Sequence, residues 1–338
     1  MRVAIVGASG YTGEELINTC LRHPGIQLAK ITSRQYAGAR LGDFLGINGD
    51  GADLVFENLT PEQVAQEADV VFLSLPHGVA SEYVVPLLEK QKIVFDLSAD
   101  FRLKDAAVYK EFYQRDHPAP QLLKESVYGL PELYADEIKK ARLIACPGCY
   151  PTSVILALAP ALREKLIDPA QIVVTAMSGV SGAGKKLDNA YLFCECNENL
   201  RAYSIPKHRH LSEMEQELSA LAGERIRISF TPHLVPVNRG ILTTISASCV
   251  DKTDDVILSS YQKFYEKSLF VRVLNSSRLP ETRRVLKTNF AEIACRLDTR
   301  TNRLMIICAI DNLGKGAASQ AMQAFNIRFG LPEDEGLT

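Results

Sequence analysis

A chain of 338 residues, 46% hydrophobic and 23% charged, with no tryptophan and a net charge of −2, has the length for two domains and the balance of an ordinary soluble protein. No basic block marks a nucleic-acid surface, no apolar run reaches the roughly 20 residues of a membrane span, and the start runs into a strand pattern without a signal segment, so a cytoplasmic location is expected. Eight cysteines over this length are too sparse for a disulfide scaffold and are expected as thiols, at least one of which can be chemically active.

Residues 2–6 read as a buried parallel strand, followed by Gly7-Ala8-Ser9-Gly10-Tyr11-Thr12-Gly13 and a helix to about Arg22. A strand, a glycine-rich turn and a helix make the setting of a dinucleotide fingerprint: glycines let the backbone approach a pyrophosphate, whose charge the helix N-terminus favours. The spacing is G-x-x-G-x-x-G rather than G-x-G-x-x-G, and the competing reading is a turn that only packs helix on strand. The second strand, 27–32, ends not in the acid that grips the ribose of NAD but in Ser33-Arg34, a hydroxyl and a guanidinium suited to a 2′-phosphate. This predicts NADP, against the alternative that Arg34 is a solvated loop residue.

Strand patterns at 70–75 and 92–97 alternate with helical patterns at 61–67 and 79–90, which predicts a parallel sheet with ligands at its carboxyl ends. Ser74, Pro76 and His77 lie in one such loop, where His77 is a cofactor neighbour or a packing residue. Arg102 lies in another, and either binds a substrate anion or pairs with Asp96 or Asp100.

An apolar strand, 142–145, leads into Cys146-Pro147-Gly148-Cys149-Tyr150-Pro151-Thr152, and an apolar helical run leads out. A thiol ahead of a helix N-terminus feels the positive end of the peptide dipoles, which stabilises the thiolate. Cys149 is therefore the candidate nucleophile; a buried inert cysteine, a Cys146–Cys149 redox pair, and a zinc site shared with Cys194 and Cys196 are the alternatives. Next come a strand at 171–177, a small-residue loop at 178–186 suited to a phosphate or a cofactor ring, and a helix-like run at 187–200. Lys207-His208-Arg209-His210 precedes an amphipathic helix; basic groups there oppose the helix dipole, so the cluster points to function, with a histidine as acid and base. Short strands at 226–230, 241–250, 270–273, 290–297 and 304–310 predict a mixed, mostly antiparallel sheet, and a turn and helix close the chain.

Taken together, Gly7–Gly13, Asp96–Arg102, Pro147–Thr152, Ser178–Gly184, His208–His210 and Asn312-Leu313-Gly314-Lys315-Gly316 resemble the N-acetyl-gamma-glutamyl-phosphate reductase family of arginine biosynthesis, type 1, from about residue 1 to 330. Wider kinship to the aspartate-semialdehyde and glyceraldehyde-phosphate dehydrogenases follows. The one departure is Cys146, where the family usually carries Asn.

The resemblance implies an α/β fold: a Rossmann-type NADP domain from 1–148 joined by 314–338, and an α+β catalytic and oligomerisation domain from 149–313. It implies an acyl-phosphate substrate, a Cys149 thioester, NADPH as reductant, His210 as acid and base with His208 its rival, no metal, and a homodimer or homotetramer. Gly7, Ser9, Gly10, Tyr11, Thr12, Gly13, Ser33, Arg34, Ser74, Pro76, His77, Ser178, Gly179, Gly182 and Asn312 are expected around the cofactor, and Arg102 and Lys185 at the substrate anions. An aminoadipate-phosphate reductase of lysine biosynthesis, or an NADP-binding redox sensor switched by Cys146 and Cys149, would share much of this machinery.

Overall fold

The alternation in the first 145 residues becomes a seven-stranded, wholly parallel sheet. Its strands are β1 (Arg2–Val6), β2 (Gln27–Thr32), β3 (Phe56–Glu57), β4 (Val70–Leu73), β5 (Ile93–Asp96), β6 (Val127–Tyr128) and β7 (Leu143–Ala145), in the order β3-β2-β1-β4-β5-β7-β6. Chain order reverses between β1 and β4, which opens a crevice at their carboxyl ends. The turn Gly7–Gly13 leaves β1 at that point and the loop Ser74–Gly78 leaves β4 beside it.

Both faces of this sheet are covered, as an all-parallel sheet requires. Val3, Ile5, Ile31, Phe72 and Phe95 pack with Leu16 and Ile17 of the helix Tyr11–Arg22 and with Met322 and Phe325 of the helix Ser319–Phe329. Ala4, Val6, Val71 and Val94 pack on the other face with Val84 and Leu87 of the helix Ala80–Glu89. Each large side chain buried here contributes about 1.5–3 kcal/mol.

The second sheet also has seven strands: β8 (Ile167–Gly179), β9 (Arg201–Ala202), β10 (Ser229–Val235), β11 (Ile241–Cys249), β12 (Val271–Val273), β13 (Ala291–Asp298) and β14 (Arg303–Ile310). Their order is β12-β13-β14-β11-β8-β10-β9, with β10–β8 and β12–β13 parallel and the other pairs antiparallel, the mixed sheet expected. Strict alternation along β11 gives it one buried face. The helix Cys149–Arg163 is apolar nearly all round because it is buried nearly all round. A Ser153–Thr243 hydroxyl contact of 2.7 Å ties it to β11, and Tyr261 and Tyr265 donate to its Ala157 and Leu156 carbonyls at 2.7 and 2.5 Å. The element that carries the candidate nucleophile is thereby fixed in place.

The computed structural model describes residues 1–275 and 277–337. They form two compact units, one of Met1–Lys110, Arg115–Pro147 and the chain from Ala317 on, the other of Gly148–Gly316 with Glu111–Gln114. Two expectations change. The run 187–200 is not one helix but a short turn at Asn189–Tyr191 and a single turn at Phe193–Cys196, because Asn197 and Asn199 favour turns and Glu198 between them takes a left-handed φ of 57°. The strand expected at 226–230 runs instead over Ser229–Val235, through Pro232, since its ladder with β8 outweighs the break that proline suggests. Among the described residues no helix is long and apolar enough to cross a membrane.

Candidate active site

Cys149 is the first residue of the helix Cys149–Arg163, after an N-cap Gly148 with extended φ −70° and ψ 158°. The Gly148 N–H donates to the Glu213 Oε1 at 2.8 Å, and the Gly148 carbonyl accepts the Thr152 N–H at 2.9 Å, closing the first turn of the helix. Glu213 is 1% exposed and lies on the helix His210–Ala222, one turn beyond His210. One carboxylate therefore links the helix of the histidine to the turn of the thiol. Behind Cys149 lies Gly316, where an added Cβ would stand 2.9 Å from the Cys149 Cβ. The buried Asp311 shapes that turn by accepting from the N–H groups of Leu313 at 2.9 Å and Gly314 at 3.2 Å. Glu213 was invisible beside the candidate site in sequence, reading as an ordinary helix polar residue, and Gly316 stood in a motif of the resemblance without a stated role.

Cys149, His208 and His210 line one cavity of about 420 Å³ with Tyr150, Tyr203, Ser178, Gly182, Lys186, Arg201 and Arg209. His208 is caged by aromatic rings, edge-on to Tyr150, Tyr203 and Phe230, with the His210 ring 4.9 Å away. Burial, helped by the Arg209 charge, pushes its pKa down to about 4, so it is neutral near neutral pH. Its Nδ1 accepts the His210 N–H at 3.1 Å, which places its own proton on Nε2. Tyr203 donates to the Tyr150 hydroxyl at 3.1 Å; burial raises the pKa of both phenols, that of Tyr203 to about 12. Both tyrosines are thus proton donors at every physiological pH.

The expected loop residues divide. Ser178 and Gly182 line this cavity, while Gly179 is pressed against the Asn238–Arg239 backbone, where a Cβ would be 2.8 Å from the nearest atom. Asn312 is buried and braces the loop, accepting from the Gly240 N–H at 2.7 Å and donating to the Ser181 hydroxyl at 3.0 Å. Lys185 is exposed and it is the adjacent Lys186 that lines the cavity, a one-residue difference set by the turn at Val180–Ala183.

In the first unit a cavity of about 360 Å³ is lined by Gly7, Ser9, Gly10, Ser33, Arg34, Ser74 and Pro76, seven of the eleven residues of this unit read as cofactor ligands. The glycines have separate reasons. Gly7 has φ +79° and a Cβ there would lie 2.4 Å from the Ser74 carbonyl; a Cβ on Gly13 would lie 2.5 Å from the Ala8 carbonyl. A Cβ added at Gly10, the helix N-cap, would meet nothing within 4 Å, so that face is open to a ligand. Ser9 and Ser33 hydroxyls meet at 2.9 Å. Burial raises the pKa of the Tyr83 phenol and the nearby Arg34 charge draws it back, so the guanidinium faces the same hollow. An open helix N-terminus beside hydroxyls and an arginine fits a phosphorylated dinucleotide.

Tyr11 and Thr12 begin the helix Tyr11–Arg22. The His77 Nδ1 accepts from the Ala99 N–H at 3.0 Å, joining two loops at the sheet's carboxyl end. Arg102 is 4% exposed and donates to the Cys146 carbonyl at 2.7 Å and the Leu97 carbonyl at 2.9 Å, bracing the strand ends rather than lining either cavity. Cys146 is in the first unit's core, and burial pushes its thiol far up, which leaves it inert, whereas Cys149 lines the cavity.

Comparison with known proteins gives a concordant result. Residues 2–141 match the family model described as semialdehyde dehydrogenase, NAD binding domain, and residues 149–312 match semialdehyde dehydrogenase, dimerisation domain. The N-acetyl-gamma-glutamyl-phosphate reductase of Acetivibrio thermocellus is 48% identical over 99% of this chain and 97% of its own length. That of a Geobacter species, strain M21, is 50% identical over 100% of this chain and 98% of its own. Among solved structures, aspartate semialdehyde dehydrogenase II of Vibrio cholerae superposes with a TM-score of 0.75 at 17% identity, covering 97% of this chain and 98% of that one.

Proposed function

The chain belongs to the N-acetyl-gamma-glutamyl-phosphate reductases, and from that premise we propose how its own residues reduce N-acetyl-gamma-glutamyl phosphate to N-acetyl-glutamate semialdehyde and phosphate in arginine biosynthesis. The observation that carries the proposal is a thiol on the first residue of a buried helix, in one cavity with two histidines. His210 takes the Cys149 proton, and the thiolate, favoured by the helix N-terminus, attacks the γ-carbonyl carbon. The carbon–sulfur bond forms, the bond to the phosphate oxygen breaks with its electron pair, and phosphate leaves an N-acetylglutamyl thioester on Cys149. Backbone N–H groups of the helix's first turn stabilise the oxyanion that forms in passing.

The reduced nicotinamide cofactor, when bound, supplies a hydride to the thioester carbon. His210 donates its proton to the carbonyl oxygen as charge builds there and takes it back as the carbon–sulfur bond breaks, which frees the semialdehyde and restores the thiolate. His208, neutral and caged, orients His210 through the backbone bond at 3.1 Å rather than exchanging protons itself.

The first unit is assigned to the cofactor and the second to the substrate. NADP is the cofactor we assign, held by Gly10, Ser9 and Ser33, with Arg34 on the 2′-phosphate. The match of residues 149–312 to a dimerisation domain supports a homo-oligomer, which we place in the cytoplasm.

The test is spectrophotometric and runs in reverse, with N-acetyl-glutamate semialdehyde, phosphate and NADP, beside aspartate semialdehyde and NAD. Turnover that requires phosphate and prefers NADP is the expected result; equal turnover of aspartate semialdehyde, or none without a change of aldehyde, removes the reading.

A further inference from the structure

The substrate carries two anions, the γ-phosphate bonded to the reacting carbon and an α-carboxylate farther along the chain. The cavity at Cys149 offers three cationic side chains, Lys186, Arg201 and Arg209, and no carboxylate among its lining residues. The three differ in how they are held. Arg209 lies between the two histidines, and its charge acts on His208 and Tyr203, which places it by the reacting groups. Lys186 is mostly exposed and reaches for Asp188 at 3.8 Å. Arg201 is on β9, paired to Leu234 of β10, and its guanidinium is braced by the Ala190 carbonyl at 2.8 Å and the Tyr191 ring, 5.8 Å from ring centre to charge.

A cation fixed on a strand loses little freedom when it binds an anion, and a planar fork matches a carboxylate better than an ammonium does. We propose that Arg201 is the specificity-determining residue that takes the α-carboxylate of the substrate, leaving Arg209 to the departing phosphate. This rests on the reductase reading above and adds to it the group that distinguishes an amino-acid-derived aldehyde from a plain one.

The experiment pairs the residue with the group it recognises. Wild type, Arg201→Lys, Arg201→Gln and Arg209→Gln are assayed in the reverse direction with N-acetyl-glutamate semialdehyde and with 4-acetamidobutanal, which has the same chain without the carboxylate. Wild type is expected to favour the carboxylated aldehyde in kcat/KM by about 30-fold, the scale of a hydrogen bond to a charged group. Arg201→Gln should bring that ratio to near one by raising KM, Arg201→Lys should restore part of it, and Arg209→Gln should lose rate on both aldehydes with the ratio kept. If Arg201→Gln slows both aldehydes alike, the residue only braces the Ala190–Tyr191 turn and the proposal is overturned; if Arg209→Gln erases the ratio, the assignment belongs to Arg209. A wild type inactive on both aldehydes removes the reductase reading and this proposal together, whereas an active wild type with an unmoved ratio removes this proposal alone.

Discussion

Two turns in this chain share one backbone plan and are assigned different chemistry. After β1 and after β7, an extended glycine N-cap, Gly10 or Gly148, opens a helix with no side-chain cap, with ψ of 165° and 158°. At Gly10 the space ahead is open and the donors of the helix face a hollow; at Gly148 the N–H is taken by a buried carboxylate, Glu213, and the next residue is a thiol. A helix N-terminus is only a positive potential. What it is left facing, a diffusible phosphate or a covalently attached thiol, decides whether it binds or reacts.

The largest effect that would break this contrast is at the thiol. Cys149→Ser should lower kcat by at least about 10³-fold with the fold intact by circular dichroism, while Cys146→Ser, three residues earlier but in the core, should keep near-native turnover. A Cys149→Ser protein of near-native rate would reduce the second turn to packing. Next are the histidines: His210→Asn should cost about 10²–10⁴-fold in kcat, and His208→Asn about tenfold or less, since a group that stays neutral can orient but not shuttle a proton. The reverse ranking exchanges their roles.

At the first turn, Gly10→Ala meets no atom within 4 Å, so it should leave the melting temperature unchanged while raising KM for NADP by about tenfold, as the methyl occupies the phosphate's place. A loss of stability without a change in KM would mean the open face holds no phosphate. The smallest effect is on pH and stability. The pKa of His208 is lowered to about 4, so the unfolded chain protonates first and this group withdraws stability as pH falls from about 6.5 to 4. Burial, with Asp100 nearby, raises that of Asp96 to about 7, so its contribution is full below its ordinary carboxylate range and is lost as pH rises through about 7. The two slopes oppose each other between about pH 4 and 6.5. Denaturant titrations should show a steeper rise with pH in Asp96→Asn and a flatter or falling one in His208→Asn; parallel curves for both would contradict the assignment.

The first turn was fully legible in sequence, because three glycines, a strand and a helix lie within one short stretch and each states a local backbone demand. The helix start at the candidate nucleophile was legible for the same reason, from Pro-Gly-Cys ahead of an apolar helical run, and a basic cluster misplaced for its helix dipole drew attention to His208 and His210, which the fold brings into one cavity with Cys149. Glu213 was not, since its bond to Gly148 joins residues 65 apart and only the folded packing of two helices shows it. That Lys186 rather than Lys185 lines the cavity could not be read, because consecutive side chains in an irregular loop diverge in ways no periodicity records. Arg201 falls just past the run 187–200 read as one helix, on a strand only two residues long that no alternation marks.

The central claim is a thioester on Cys149, and it is tested most directly by withholding phosphate. With N-acetyl-glutamate semialdehyde and NADP alone, the enzyme should release one equivalent of reduced cofactor per site in a burst and then stall. Acid quench and peptide mass mapping should then find an N-acetylglutamyl group on Cys149 that added phosphate discharges. No burst, or an acyl group on any other residue, would contradict the account.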